Sequence, residues 1–314
     1  MRRSEPTKAT LTRRHIILGT SSLAAMPLLS GYAFAAPVTT FKQGDFDITV
    51  VSDGFLTLPI SIVAPEAAPD EQADIIRRLG GSADTVQPRA NIPLIRAGQD
   101  LILVDTGSGD KFQPTAGRLT ANLAVAGIDP ASVTKVVCTH AHPDHMGGTL
   151  VPGAGLTFPN ATYFVSAVEW QFWMDPNYRT IMPDVLHEFA RGSQRDLSAV
   201  KDRVKLVKPG EDIVTGMRVL DTAGHTPGHI SLELAGGEGL IITGDAVTNH
   251  IVSFEHPGQK FGFDMQHDVA IANRKALLDR AANDKIKLLG FHWSDPGVGY
   301  AERKDNAYRF VPAT

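Results

Sequence analysis

Four potential metal ligands lie within six residues of one another. His140, His142, Asp144 and His145 occur in the segment 139–148, THAHPDHMGG. Imidazole nitrogens and carboxylate oxygens are the ligands that zinc and similar divalent ions take in proteins. Holding these groups together without a metal costs on the order of several kcal/mol through repulsion and desolvation. The segment therefore predicts a metal site in preference to a polar loop that binds no ion.

The elements around this segment favour such a site. An apolar, β-branched run at residues 134–138 precedes it and predicts a buried strand. Alternate side chains of an extended segment face the same side, so we expect His140 and His142 to point together. Asp144 and His145 then fall on the following turn, where they can face a second ion.

Strand and helix patterns alternate along the rest of the chain. We predict a turn at Ser52–Gly54 between strands at 46–51 and 56–60. Further strands are predicted at 92–95, 101–104, 161–165, 204–207, 218–221, 230–234 and 240–243. Helices are predicted at 70–79, 118–126, 167–174, 184–191 and 267–282. Because no Pro/Gly-rich linker divides these elements, we predict one α/β domain over residues 37–314.

Composition narrows the class of protein further. The 314 residues carry a formal net charge of −4, whereas nucleic-acid binding usually leaves a strong basic excess. We therefore expect no nucleic acid as a partner; the expectation of a small-molecule substrate rests on the motifs described below. The single cysteine, Cys138, excludes an intrachain disulfide and lies in an apolar run, as a buried residue would.

The first 36 residues have the pattern of an export signal. Basic residues come first, an apolar stretch follows at 16–29, and the small-x-small triplet Ala33–Ala35 ends the segment. The segment LTRRHIIL at 11–18 resembles a twin-arginine signal. We predict a twin-arginine signal peptide at 1–36, a periplasmic or secreted protein, and no stable membrane association after signal removal. The alternative is an N-terminal membrane anchor, for which the apolar stretch is short.

Five motifs in order along the chain resemble those of the metallo-β-lactamase superfamily. They are LVDTG at 103–107, HAHPDH at 140–145, GHTPGH at 224–229, GDA at 244–246 and FHW at 291–293. The resemblance covers residues 41–312 and implies a four-layer αββα sandwich with two divalent ions, Zn²⁺ in the first place and Mn²⁺, Co²⁺ or Fe²⁺ otherwise. It also suggests a homodimer.

Within the superfamily, several stretches resemble methyl parathion hydrolase. They are GDFDIT at 44–49, GRL at 117–119, FPNA at 158–161 and YRFVP at 308–312. Most of these stretches are structural, so they argue for a shared branch and not for a shared substrate.

The resemblance also implies a role for each site residue. His140, His142 and His225 would hold one ion, Asp144, His145 and His292 the other, and Asp245 would bridge both. Asp105 would orient a ligand histidine from outside the coordination sphere. His229 would have a similar orienting or a structural role, and direct ligation is the alternative. Asp144 or Asp245 would pass a proton to the leaving group. The substrate pocket would include Phe112, Trp173, Thr248 and Phe254.

The implied reaction is hydrolysis of an ester bond in a small apolar ester, lactone or phosphotriester, by a hydroxide that the two ions share. An acyl-homoserine lactonase that quenches quorum sensing is also compatible with the motifs. Several lactonases carry a Tyr three residues after the bridging Asp, where this chain has Thr248. A mononuclear-iron sulfur dioxygenase and a binding protein without catalytic activity are likewise compatible with the sequence.

Overall fold

The computed structural model describes residues 38–182 and 184–313. The strands are β1 (Thr39–Gln43), β2 (Phe46–Phe55), β3 (Leu58–Pro59), β4 (Thr85–Val86), β5 (Arg89–Ala97), β6 (Asp100–Val104), β7 (Lys135–Cys138), β8 (Leu150–Val151), β9 (Gly155–Leu156), β10 (Thr162–Ser166), β11 (Val204–Val207), β12 (Asp212–Val214), β13 (Met217–Asp221), β14 (Ile230–Leu234), β15 (Leu240–Ile242), β16 (Lys287–Leu289), β17 (Val298–Lys304) and β18 (Ala307–Pro312). The helices are α1 (Ile60–Val63), α2 (Pro69–Arg78), α3 (Leu119–Val125), α4 (Pro143–Met146), α5 (Ala167–Trp173), α6 (Tyr178–Ile181), α7 (His187–Ala199), α8 (Val252–Glu255) and α9 (His267–Asp284). The predicted signal segment, 1–36, lies outside the described residues.

Two large sheets carry most of the strands. The first has the order β1-β2-β5-β6-β7-β10-β11, and the second has the order β12-β13-β14-β15-β16-β17-β18. Strands β6, β7, β10 and β11 run parallel to one another, as do β15 and β16. The other pairs within the two sheets are antiparallel.

The two sheets pack face to face, and helices cover their outer faces. Ile48 and Ile102 of the first sheet share a buried core with Leu232 of the second. Outside the first sheet, α3, α5 and α7 bury side chains against β5, β6, β7 and β10. Outside the second sheet, α8 and α9 pack on β15, β16, β17 and β18. The predicted αββα sandwich is therefore confirmed, and all described elements belong to one compact unit.

The predicted turn at Ser52–Gly54 is wrong. These residues continue β2, whose pairing with β5 shifts register between Ser52 and Gly54. The reason is the buried Asp53 carboxylate, which accepts backbone hydrogen bonds from Ser108, Gly117 and Leu119. Turn-forming residues here make a bulge that ties β2 to the loop at 107–119.

Within the part of the chain that the structure describes, no helix has the length and apolar character needed to cross a membrane.

Candidate metal centre

The candidate ligands all follow strands at one edge of the sandwich. His140 and His142 come directly after β7, while Asp144 and His145 lie on α4. His225 lies in the loop between β13 and β14. Asp245 follows β15 on a single 3₁₀ turn, Gly244–Val247, and His292 follows β16. Because neighbouring strands end at the same edge, side chains far apart in the sequence converge there.

Among the described residues, three overlapping groups of side chains could hold a metal ion. They are His140, His142 and His225; Asp144, His145 and His292; and His140, His145 and Asp245. Within each group, one ligand atom per residue lies within 4.8 Å of the others, and every member is buried. The first two groups are the two ligand sets that the resemblance implied.

The first group has its ring nitrogens turned inward. Nδ1 of His142 lies 3.0 Å from Nε2 of His140 and 3.0 Å from Nε2 of His225. Burial and neighbouring histidines hold the pKa of both His140 and His142 well below the usual value. Neutral imidazoles with converging lone pairs are the form that a metal ion binds.

Asp245 lies between the two groups. Its Oδ2 atom is 3.4 Å from Nε2 of His225 and 3.4 Å from Nε2 of His292, which belong to different groups. Its Oδ1 atom is 3.4 Å from Nε2 of His145. Asp245 therefore has the position of a bridging carboxylate.

In the second group, carboxylate and imidazole side chains lie close together and shift one another's pKa. Asp144 Oδ2 lies 3.2 Å from Nε2 of His292 and 3.5 Å from Nε2 of His145. Burial alone would raise the pKa of Asp144, but these histidines outweigh it and lower that pKa to about 2. Burial opposes protonation of His292, yet the carboxylates of Asp245 and Asp144 raise its pKa to about 10.

The residues present fit two divalent ions. Among residues 38–182 and 184–313, the buried Nε2 of His145 and Oδ1 of Asp245 have no hydrogen-bond partner. Unpaired polar atoms in a buried site cost free energy unless something binds them. A set of imidazoles and carboxylates with open valences matches the donor chemistry of zinc and similar ions.

A family model described as the metallo-beta-lactamase superfamily matches residues 88–291, well over half of the chain. The chain belongs to the metallo-beta-lactamase superfamily. Metallo-beta-lactamase domain-containing protein 1 of Xenopus laevis is 30% identical over 164 residues, or 52% of this chain and 56% of that protein. The chain thus spans only about half the length of that curated relative.

Solved structures in this superfamily match over nearly the whole described chain. AidC, described as a dizinc quorum-quenching lactonase in complex with the product N-hexanoyl-L-homoserine, is 26% identical with a TM-score of 0.82. A hydrolase named AbOPH, described as in the beta lactamase superfamily, is 30% identical with a TM-score of 0.82. Both alignments cover 89% of this chain and 98% of the other chain. Both neighbours are thus described as hydrolytic enzymes, and the buried His and Asp groups of this chain have the donor atoms that divalent metal ions take.

Asp105 and His229 hold the centre in place from outside it. Asp105 accepts hydrogen bonds from the backbone and hydroxyl of Thr139 and lies 2.7 Å from Nδ1 of His145. It also adopts a left-handed backbone conformation, with φ of 65°, which is uncommon for a residue with a side chain. His229 uses both ring nitrogens within the protein: Nε2 accepts from the Asp245 backbone at 2.9 Å, and Nδ1 lies 2.9 Å from the Thr222 hydroxyl. With both nitrogens engaged, His229 positions the loop of Asp245.

Sequence reasoning missed two carboxylates of the site. Asp264 appears in the sequence as an ordinary loop acid, yet its buried Oδ1 lies 3.0 Å from Nδ1 of His225. Its Oδ2 accepts from Arg274, a buried arginine, at 2.7 Å. The His225 N–H at Nδ1 thus donates to Asp264, which leaves Nε2 facing the first group. The second missed residue, Glu169 on α5, is fully buried beside Ala141 and Thr226.

The predicted pocket residues lie in different environments. Phe112 is partly buried, and Thr248 is buried with its hydroxyl 3.3 Å from that of Ser253. Trp173 is fully buried, and its indole donates to Glu169 at 2.6 Å. Phe254 is fully buried as well and packs with Trp293 and Phe310 in the outer core of the second sheet. Trp173 and Phe254 therefore lie beneath the surface of the site, as core residues do.

Four phenylalanine side chains lie beside the first group and form an aromatic wall. Its members are Phe112, Phe189, Phe261 and Phe263, of which only Phe112 is among the predicted pocket residues. The Phe189 ring lies 5.5 Å from that of His142, 6.5 Å from Phe112 and 6.0 Å from Phe263. Phe261 lies 5.9 Å from His225. A cavity of about 440 Å³ lies beside Phe112, Phe189 and Pro143. Charged side chains line it as well, namely Lys111, Glu188, Arg191 and Arg195, and no candidate metal ligand is among its lining residues.

Proposed function

We propose that this protein hydrolyses the ester bond of a small, apolar lactone, with two zinc ions bound at the centre. The proposal rests on the aromatic wall, which lies beside the candidate metal ligands His142 and His225. Apolar walls beside a few convergent polar groups are typical of small-molecule sites. The wall offers room for an acyl, alkyl or aryl substituent next to the reacting bond.

N-acyl homoserine lactones are the first lactones to test. AidC, of similar fold over 89% of this chain, is described as a lactonase of that class. The cavity of about 440 Å³ has the volume for a short acyl chain, with Phe112 and Phe189 on one side and the charged Lys111, Glu188, Arg191 and Arg195 also lining it. Carboxylic esters with similar apolar groups present the same reacting centre.

The ions would supply Lewis acidity and an activated water at neutral pH. His140, His142 and His225 would hold one ion and Asp144, His145 and His292 the other, with Asp245 between them. The protein's own contribution is to keep the imidazoles neutral or paired, and to exclude bulk water with the aromatic wall. Asp144 is the carboxylate we assign to proton transfer, since 10% of its side chain is exposed, against 5% for Asp245.

Phosphotriester hydrolysis is the second candidate. Four stretches of the sequence resemble methyl parathion hydrolase, and Thr248 occupies the position where several lactonases carry a Tyr. The Thr248 hydroxyl is buried and faces Ser253. A mononuclear-iron dioxygenase is disfavoured, because the described residues include side chains for two ions, in the first and the second ligand group.

Export belongs to the proposal as well. The pattern of residues 1–36 supports a periplasmic or secreted protein that leaves the cytoplasm by the twin-arginine route. The test is cell fractionation of the full chain with Arg13 and Arg14 both changed to Lys, and with Arg2 and Arg3 both changed to Lys as the matched control. Export should fail for the first pair alone; export of both variants would contradict the proposal. We also propose a small molecule as the partner and a homodimer as the assembly, which sedimentation of the mature protein tests.

The substrate class is tested by proton release with the zinc-loaded mature protein. Three panels matched in apolar substituents are compared: N-acyl homoserine and simple lactones, aryl esters, and dimethyl phosphotriesters. His142→Ala is the control for the metal centre. The highest kcat/KM on lactones, abolished by His142→Ala, is the expected result. A clear preference for phosphotriesters would select the second candidate, and no hydrolysis in any panel by protein with two bound ions would overturn the ester-bond proposal.

A further inference from the structure

Glu169 is a buried carboxylate that the proposed reaction does not use. It lies in the first turn of α5, and its residue is 0% exposed. Burial raises the pKa of its carboxyl group, and hydrogen bonds from four donors oppose that effect. A buried acid with this many partners requires an explanation beyond packing.

The four donors include both segments that carry the first ligand group. Oε1 accepts from the backbone N–H of Ala141 at 2.9 Å and from the Trp173 indole at 2.6 Å. Oε2 accepts from the Thr226 hydroxyl at 2.7 Å and from the backbone N–H of Gly228 at 3.0 Å. Ala141 stands between His140 and His142, and Thr226 directly follows His225. One carboxylate therefore links the loop after β7 to the loop after β13.

Two other contacts show how closely these segments are held. A Cβ atom on Gly228 would lie 2.0 Å from the Glu169 backbone nitrogen, so only glycine permits this approach. The carbonyl of Ala141 accepts from the Ser193 hydroxyl of α7 at 2.6 Å. The residue that joins His140 to His142 is thus fixed at both ends, by Glu169 and by Ser193.

We infer that Glu169 is a positioning residue that sets the distance between the His140–His142 pair and His225, and thereby the affinity of the first ligand group for its ion. The inference rests on the proposed function, since it assumes that this group binds a metal ion. Residues that hold ligands from outside the coordination sphere commonly change metal affinity by about 10- to 100-fold when they are replaced.

Glu169→Gln is the discriminating variant because it keeps the volume but supplies one acceptor oxygen for four donors. The Thr226 hydroxyl can accept from the new amide, whereas the Gly228 N–H then loses its partner. The expected result is a zinc affinity about 10- to 100-fold weaker at the first group, with the second group nearly unchanged. The Co²⁺-loaded variant should also show an altered visible absorption spectrum, which reports ligand geometry.

Asp196→Asn is the matched control, since Asp196 is also a buried helix carboxylate but pairs with Arg195 on α7. It should lower the melting temperature of the metal-free protein and leave both zinc affinities unchanged. If Glu169→Gln does not fold, Thr226→Val removes one donor of the same set and should weaken the first group in the same direction.

Zinc affinities come from competition with a chromophoric chelator, which needs no substrate. Wild-type affinity at both groups in Glu169→Gln, or in Thr226→Val where that variant replaces it, would overturn the inference and leave the proposed function standing. Equal weakening of both groups would also overturn it. Failure of the wild-type protein to bind an ion at the first group would overturn the proposed function and the inference together.

Discussion

Replacement of Asp264 by Asn should weaken metal binding through the tautomer of His225. Asp264 accepts from Nδ1 of His225 through Oδ1 and from Arg274 through Oδ2. Asparagine has one oxygen for these two donors. If its oxygen faces His225, its amide N–H₂ opposes the Arg274 guanidinium. If its amide faces His225 instead, the imidazole proton moves to Nε2, the nitrogen that must bind the ion.

The two orientations have different expected effects. The first orientation leaves a buried donor of Arg274 without an acceptor, which costs about 2 kcal/mol and lowers Tm by about 4–8 °C. The cost stays moderate because the Arg274 guanidinium also donates to the carbonyl of Gln259 at 2.8 Å. The second orientation should weaken zinc binding at the first group by about 10- to 100-fold.

Arg274→Met separates stability from metal binding. Alone, it should lower Tm and leave zinc affinity near that of the wild type, because Asp264 still orients His225. Combined with Asp264→Asn, it frees the asparagine oxygen to face His225, so zinc affinity should recover while Tm stays low. Chelator competition and thermal unfolding of the four proteins provide the test. An Asp264→Asn variant with both wild-type zinc affinity and wild-type Tm would refute the reasoning. Equal metal loss in Arg274→Met would refute it as well.

Four further predictions concern other side chains and the bound ions. His225→Ala should lose one ion per chain. His229→Ala should keep two ions and lose about 10-fold in kcat, because His229 accepts a hydrogen bond from the Asp245 backbone. Equal metal loss in the two variants would contradict these roles. Phe189→Ala should lower kcat/KM by about 10-fold for substrates with long apolar chains and less for short ones, so an equal loss across chain lengths would count against the aromatic wall. Asp53→Asn should lower Tm by about 4–8 °C, because the Asp53 carboxylate accepts hydrogen bonds from the backbone of the loop at 107–119. Amide hydrogen exchange in that loop should become faster, and unchanged exchange would show that Asp53 does not hold the loop. Chelation of ions present at about 1,000 times their Kd should remove about 4 kcal/mol of stability per bound ion, or about 8 kcal/mol for two ions. An unchanged Tm would mean that the folded state does not bind them.

The ligand residues were accessible from the sequence because their pattern is local or repeats a family motif. His140, His142, Asp144 and His145 lie within six residues, and the strand before them is apolar. The αββα layers were likewise predicted through the superfamily resemblance, and the alternation of strand and helix patterns agreed with it. Element bounds differ from the prediction at α7, which extends to Ala199, beyond the predicted helix end at 191. They differ also at the predicted strand 56–60, of which only Leu58–Pro59 is a strand, while Ile60 begins α1.

The residues that hold the ligands in place could not be predicted in the same way. Asp264 contacts His225 across 39 positions, and Glu169 contacts Gly228 across 59. Nothing in the local sequence pattern identifies such pairs of residues, because they meet only when separate strands end at one edge of the sandwich. Asp53 misled the prediction for the same reason: its turn-like neighbours suit a hairpin, but its carboxylate serves a distant loop.

The two-metal centre is tested most directly by the metal content of reconstituted mature protein. Metal-free protein is titrated with zinc, and bound ions per chain are counted by mass spectrometry for wild type, His142→Ala and His292→Ala. The account predicts two zinc ions per wild-type chain and one in each variant, with the first group emptied by His142→Ala and the second by His292→Ala. A single ion in the wild type, or two ions retained in both variants, would contradict it.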